Sequence, residues 1–170
     1  MPKMSGSAIL STEINPSKIR GLQRRVDKNG DLIDDIVNKL VYQYCSDLDN
    51  YMRYILEVLN DAANPPTNEE LDGFTLNLPV LIYFAGEAQE SLGIKEDIAK
   101  AIKQERFNET YEQSTGTIAD KTAAAELSIQ DEYITHIAYS RAYKKVKLRI
   151  DAANETLQSV KKVISRRMVE

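Results

Sequence analysis

The stretch that decides the fold is Tyr139–Ile164, YSRAYKKVKLRIDAANETLQSVKKVI, in which Tyr139, Tyr143, Val146, Ile150, Ala153, Leu157, Val160 and Ile164 alternate steps of four and three. That spacing places the apolar side chains on one stripe of an α-helix, the pattern of a heptad seam. Nothing after Asp120 interrupts it, because the last 50 residues contain neither Gly nor Pro. The pattern predicts a helix over about 120–168, ~70 Å long at 1.5 Å per residue. A helix of that length needs partners, and two kinds are on offer: the other helices of the same chain, and further copies of it.

Working outward, Ile33, Val37, Leu40, Tyr44, Leu48, Tyr51, Ile55 and Leu59 recur at helical spacing and predict a second long helix over about 31–62. Asn29-Gly30 stands before it, and Asn64-Pro65-Pro66 cannot continue it. A third pattern opens at Pro79 and runs through Leu81, Ala85, Ala88, Leu92, Ala99 and Ile102 toward Tyr111, predicting a helix over about 79–113. Thr67 and Glu70 have the spacing of a capping box, which fits a short turn before Gly73. Residues 1–30 mix Ser, Gly, Pro and charge and read as a basic arm preceding a single helical domain over 31–170.

The expected fold class is therefore all-α: three long amphipathic helices in an elongated hairpin or bundle with coiled-coil-like seams, forming a homo-oligomer. Composition agrees, since 7 Gly and 5 Pro in 170 residues are too few for the frequent turns of a sandwich or barrel. The seam residues Tyr143, Val146, Ile150, Ala153, Leu157, Val160 and Ile164 are expected to serve the core, the oligomer contact, or both.

Counting argues against most enzyme chemistry. A single His136 cannot build a two-imidazole metal site, and its place within a helix makes a packed or solvent-edge role the simpler one. Neither GxxxxGK[ST] nor GxGxxG occurs, so neither common phosphate cradle is present. The stretch Asp27–Asp31 fails as a calcium loop, because aligning Gly30 puts Arg25 and Ile36 at ligand positions. No catalytic residue, metal or cofactor is expected. Cys45 alone excludes an internal disulfide and suits a reducing compartment. The N-terminus MPKMSGSAILS lacks a signal-peptide core, and the apolar run Leu76–Ala85 is half the length of a membrane span. A cytoplasmic location without membrane contact is expected, the host cytoplasm if the chain is phage-encoded.

Charge is distributed unevenly. The total is −4, yet residues 1–30 hold 6 basic against 2 acidic side chains, residues 31–138 hold 7 against 21, and residues 139–170 hold 9 against 3. Basic groups on the final helix, Arg141, Lys144, Lys145, Lys147, Arg149, Lys161, Lys162, Arg166 and Arg167, mostly lie off the apolar seam. They either line a polyanion path or pair with the acidic middle segment. Tyr139 and Tyr143 stand among Arg and Lys, as stacking residues do in single-strand grooves, but their heptad spacing favours burial.

The order of features over about Pro79–Met168 resembles the phage recombination mediators of the UvsY family. It comprises an apolar start at Leu81-Ile82-Tyr83-Phe84 and a charged helix with Lys95, Lys100, Lys103 and Arg106. A break from Tyr111 to Gly116 follows, then a long helix containing Tyr143, Leu148-Arg149-Ile150-Asp151, Leu157-Gln158-Ser159-Val160-Lys161 and Ile164. The resemblance implies a helical homo-oligomer that binds single-stranded DNA and helps a RecA-like recombinase displace single-strand-binding protein. The family's Lys/Arg pair before the break corresponds most nearly to Lys103 and Arg106. Taken with the charge pattern, the expected nucleic-acid-binding residues are Lys100, Lys103, Arg106, Lys144, Lys145, Lys147, Arg166 and Arg167. The alternative is a helical protein-interaction module, such as a phage-encoded adaptor or an inhibitor of a host protein.

Overall fold

The computed structural model describes residues 16–168, which form four helices: α1 (Pro16–Asn60), α2 (Asn68–Gln113), α3 (Ile118–Ser128) and α4 (Gln130–Arg167). No strand occurs among the described residues. The chain divides into two compact units, residues 1–32 and 33–170. In the first unit the expected arm is helical from Pro16 onward, so α1 begins fifteen residues before the expected start; residues 1–15 lie outside the described residues. Asn29-Gly30 does not stop the helix, because an exposed helical Gly costs only about 1 kcal/mol against Ala.

In the second unit, α1 buries Val37, Val41, Cys45, Leu48 and Ile55. It ends where the Asp61 carboxylate accepts hydrogen bonds from the Ala63 and Asn64 backbone N–H groups (3.0 and 3.2 Å) and the Asn64 amide (3.1 Å), turning the chain into Pro65-Pro66. Those same bonds, the Asn64 side chain first, hold the Asp61 carboxyl below its ordinary range.

The second helix is longer than its sequence pattern. It starts at Asn68, eleven residues before Pro79, because Thr67 and Glu70 close a complete capping box: Glu70 N–H donates to Thr67 Oγ1 (3.2 Å) and Thr67 N–H donates to Glu70 Oε2 (2.7 Å). Pro79 thus sits inside the helix, where it removes one backbone bond at a cost of about 3 kcal/mol. Leu71, Phe74 and Leu78, all buried, offset this, at roughly 2 kcal/mol each. Phe74 also meets Tyr51 and Tyr54 of α1 edge-on, with ring centroids 6.2 and 5.8 Å apart.

The expected single helix over 120–168 is two helices. Gly116, at φ +111°, makes the turn after α2; a Cβ there would lie 3.0 Å from Asp120 Oδ2. Thr117 and Asp120 form a second capping box that starts α3. α3 stops at Ser128, whose hydroxyl donates to the Ala125 carbonyl (2.8 Å), and Ile129 (φ −102°, ψ 16°) separates it from α4. The one-residue interruption leaves buried Ala125 in α3, which packs on α2.

α2 and α4 pack antiparallel, a register set by Gly93 with Tyr143, Glu96 with His136, and Asn68 with Arg167. Small buried residues of α4, Ala138, Ala142 and Ala153, let the helices approach closely. At Gly93 an added Cβ would be 3.4 Å from the Tyr143 ring. The predicted seam is occupied within the chain: Val146, Ala153, Leu157 and Val160 belong to the core shared with α1 and α2, and Tyr143, Ile150 and Ile164 pack against it. Among the described residues, no helix is long and apolar enough to cross a membrane.

Candidate nucleic-acid interface

The core stripe of α4 fixes where its cations point. With Val146, Ala153 and Val160 inward, Lys144, Lys147, Lys161, Lys162 and Arg166 fall on the solvent side, all exposed and without an ion pair among the described residues. Arg141 is exposed as well. The face is not uniformly basic. Exposed Asp151 and Glu155 divide it into one group around Lys144 and another around Lys162, with Lys147 and Lys161 about 21 Å apart along the axis.

Other predicted cations are engaged inside the chain. Lys145 Nζ donates to Asn38 Oδ1 (2.7 Å) and lies 3.6 Å from Asp34 Oδ1, both on α1. Arg167 donates to the Pro66 carbonyl (2.6 Å) and Asn68 Oδ1 (3.2 Å), fastening the end of α4 to the start of α2. Arg149 is bound to Asp49. These three groups stabilise the helix packing and offer a phosphate less than their neighbours do.

On α2, Lys100 is exposed, and Arg106 is exposed with a loose contact of 3.8 Å to Glu109. Lys103 lies over the Tyr133 ring of α4, its Nζ 5.4 Å from the centroid. Lys95 and Lys121 sit on tyrosines in the same way, over Tyr44 and Tyr111. Lys95 also donates to the Tyr44 hydroxyl at 2.8 Å, and that bond raises its pKa. The antiparallel register sets Lys100 near the beginning of α4, beside neither of the α4 groups. The structure thus brings together Lys144 with Lys147, and Arg166 with Lys162; it does not unite the eight predicted residues in one track.

Tyr139 and Tyr143 are half-buried against the core. Between α2 and α4 runs an open groove of about 450 Å³, lined by Lys95, Ile98, Ile102, Asp131, Glu132 and Tyr139. None of the eight expected DNA-binding residues lines it. His136 is half-buried, with Nε2 3.9 Å from Glu96 Oε1 and a buried Nδ1 that has no hydrogen-bond partner among the described residues.

No family model matches the chain. No curated protein and no solved structure matches it either. The site is accordingly defined by its own geometry: two exposed cationic groups on α4, with Lys100 and Arg106 exposed separately on α2. Lys161 and Lys162, basic groups of the final helix outside the eight expected DNA-binding residues, belong to it as well. Their signal was the missing carboxylate at three- or four-residue spacing toward the C-terminus of α4; Glu155 is the last acidic residue before Glu170.

Proposed function

We propose that this chain is a non-enzymatic single-stranded-DNA-binding protein that acts as a recombination mediator, helping a RecA-like recombinase load onto strands held by single-strand-binding protein. The observation that carries the DNA-binding part is the exposure of Lys144, Lys147, Lys161, Lys162 and Arg166 on one side of α4 with no internal partner among the described residues. An ammonium or guanidinium group in that position binds a phosphate and releases condensed counterions, so affinity falls as salt rises. Each protomer contributes a few weak contacts. Repetition of protomers along a strand would add them into useful avidity. The mediator part rests on the sequence resemblance over Pro79–Met168, whose break between Tyr111 and Gly116 falls where α2 ends.

The test is a fluorescence-anisotropy titration of the full chain with a labelled single-stranded oligonucleotide at several ionic strengths. The expected result is binding that weakens steeply with salt, with a slope lowered by about 1.4 in Lys144→Ala/Lys147→Ala, at ~0.7 per phosphate contact. No binding at low salt would overturn the proposal and leave the protein-interaction module as the reading to pursue.

A further inference from the structure

α2 is apolar on two sides. Its inner side supplies Leu71, Phe74, Leu78 and Leu92 to the core, while Leu76, Val80, Phe84, Ile94, Ile98 and Ile102 stand 50–72% exposed on the other. Tyr83, edge-on to Phe84 at 5.7 Å between centroids, extends the exposed side. An exposed apolar side of this extent is normally covered by a partner. These seven side chains present on the order of 800 Å² of surface, beyond the largest apolar patch of most monomers and near one partner's share of a standard interface.

The arrangement also identifies its occupant. Leu76 and Ile102 are each 13 residues from Gln89, Val80 and Ile98 are each 9, and Phe84 and Ile94 are each 5. Six of the seven apolar positions therefore read the same from either end of the stripe; Tyr83 alone mirrors a polar residue, Lys95. An antiparallel two-fold pairing matches those six with one another, because in an isologous contact residue i meets j while j meets i. We propose that two copies of this chain pair through the outward side of α2, antiparallel, with Leu76, Val80 and Phe84 of each copy lying against Ile102, Ile98 and Ile94 of the other. The pairing does not depend on the DNA-binding proposal. Exposed Glu87 and Glu90 lie closest to the two-fold axis, where four carboxylates from two copies gather. Their mutual repulsion keeps the dimer weak.

The experiment is sedimentation equilibrium of the full chain over a range of concentrations, without nucleic acid. The expected mass rises from 19.2 kDa toward twice that value as concentration increases. Ile98→Glu should hold the chain monomeric with its helical circular dichroism unchanged. Glu87→Leu, which replaces the central carboxylate with an apolar side chain, should tighten association by about tenfold or more. Orientation is read by cysteine cross-linking, with Cys45 buried and silent. Leu76→Cys mixed with Ile102→Cys should give a covalent dimer. Each alone should not, since identical positions 76 lie about 39 Å apart along antiparallel helices. A wild-type chain that stays at 19.2 kDa, a dimer unaffected by Ile98→Glu, or Leu76→Cys cross-linking to itself would each overturn the proposal.

Discussion

Arg149 of α4 places its Nε 2.9 and 2.8 Å from the two carboxylate oxygens of Asp49 on α1, joining residues 100 positions apart. Both side chains are about one-third exposed, so the pair lies between a surface ion pair and a buried one. It is the strongest single reason that the basic C-terminal segment is not wholly available to a polyanion.

Breaking this pair should loosen the packing of α1 on α4. Arg149→Ala is expected to lower stability by about 1–2 kcal/mol, and Asp49→Ala by a similar amount. The double variant should cost less than the sum, which urea titrations followed by circular dichroism would show. Strict additivity would mean that the two groups do not interact energetically.

Cys45 is fully buried, and burial, then the nearby Asp49 charge, pushes its thiol from 9.0 to about 11, with Arg149 opposing the shift. Between about pH 9 and pH 11 the unfolded chain has released a proton that the folded chain retains. The stabilisation is complete below pH 9 and is lost as pH rises through about 11. The urea midpoint should therefore fall over this window more steeply in the wild type than in Cys45→Ala. Equal slopes would show that the thiol is not protected.

The capping box at the start of α2 can be removed with little disturbance elsewhere. Thr67→Ala should cost about 1 kcal/mol and fray the first turn. Hydrogen bonds from the Thr67 backbone N–H and then its hydroxyl hold the Glu70 carboxyl below its usual value; Asp120 is held down by Thr117, side chain first. These groups contribute stability that is present above the ordinary carboxylate range and lost as pH falls through the lowered values. An NMR titration of Glu70 should move upward in Thr67→Ala.

Pro79 is exposed and sits within α2, where it removes a backbone hydrogen bond without supplying core contact. Pro79→Ala should raise stability by about 1–3 kcal/mol. A decrease in the thermal midpoint would mean that the proline has a packing role.

The periodic stripes were legible because each helix carries its own 3.6-residue record of where its core lies. Val37, Leu48, Ile55, Val146, Leu157 and Val160 are buried as their spacing indicates. Boundaries were less legible. Pro79 reads locally as a helix start, yet the burial of Leu71 and Phe74 carries the helix through it, and Ser128 interrupts a pattern that contains neither Gly nor Pro. The cationic residues were visible as a cluster, but their separation into exposed and engaged groups was not. Lys145, Arg149 and Arg167 find partners about 100 positions away, and no local spacing encodes that.

Helicity, the inward stripes of α1 and α4, and the places where charge accumulates follow from side-chain order along a single helix and were readable from the residues alone. Which cations remain open to solvent, and that one apolar side of α2 stays exposed, came from the packing of the helices against one another. Those outcomes depend on which stripes meet when the helices pack. A stripe that finds a partner inside the chain is closed, whatever its pattern suggested alone.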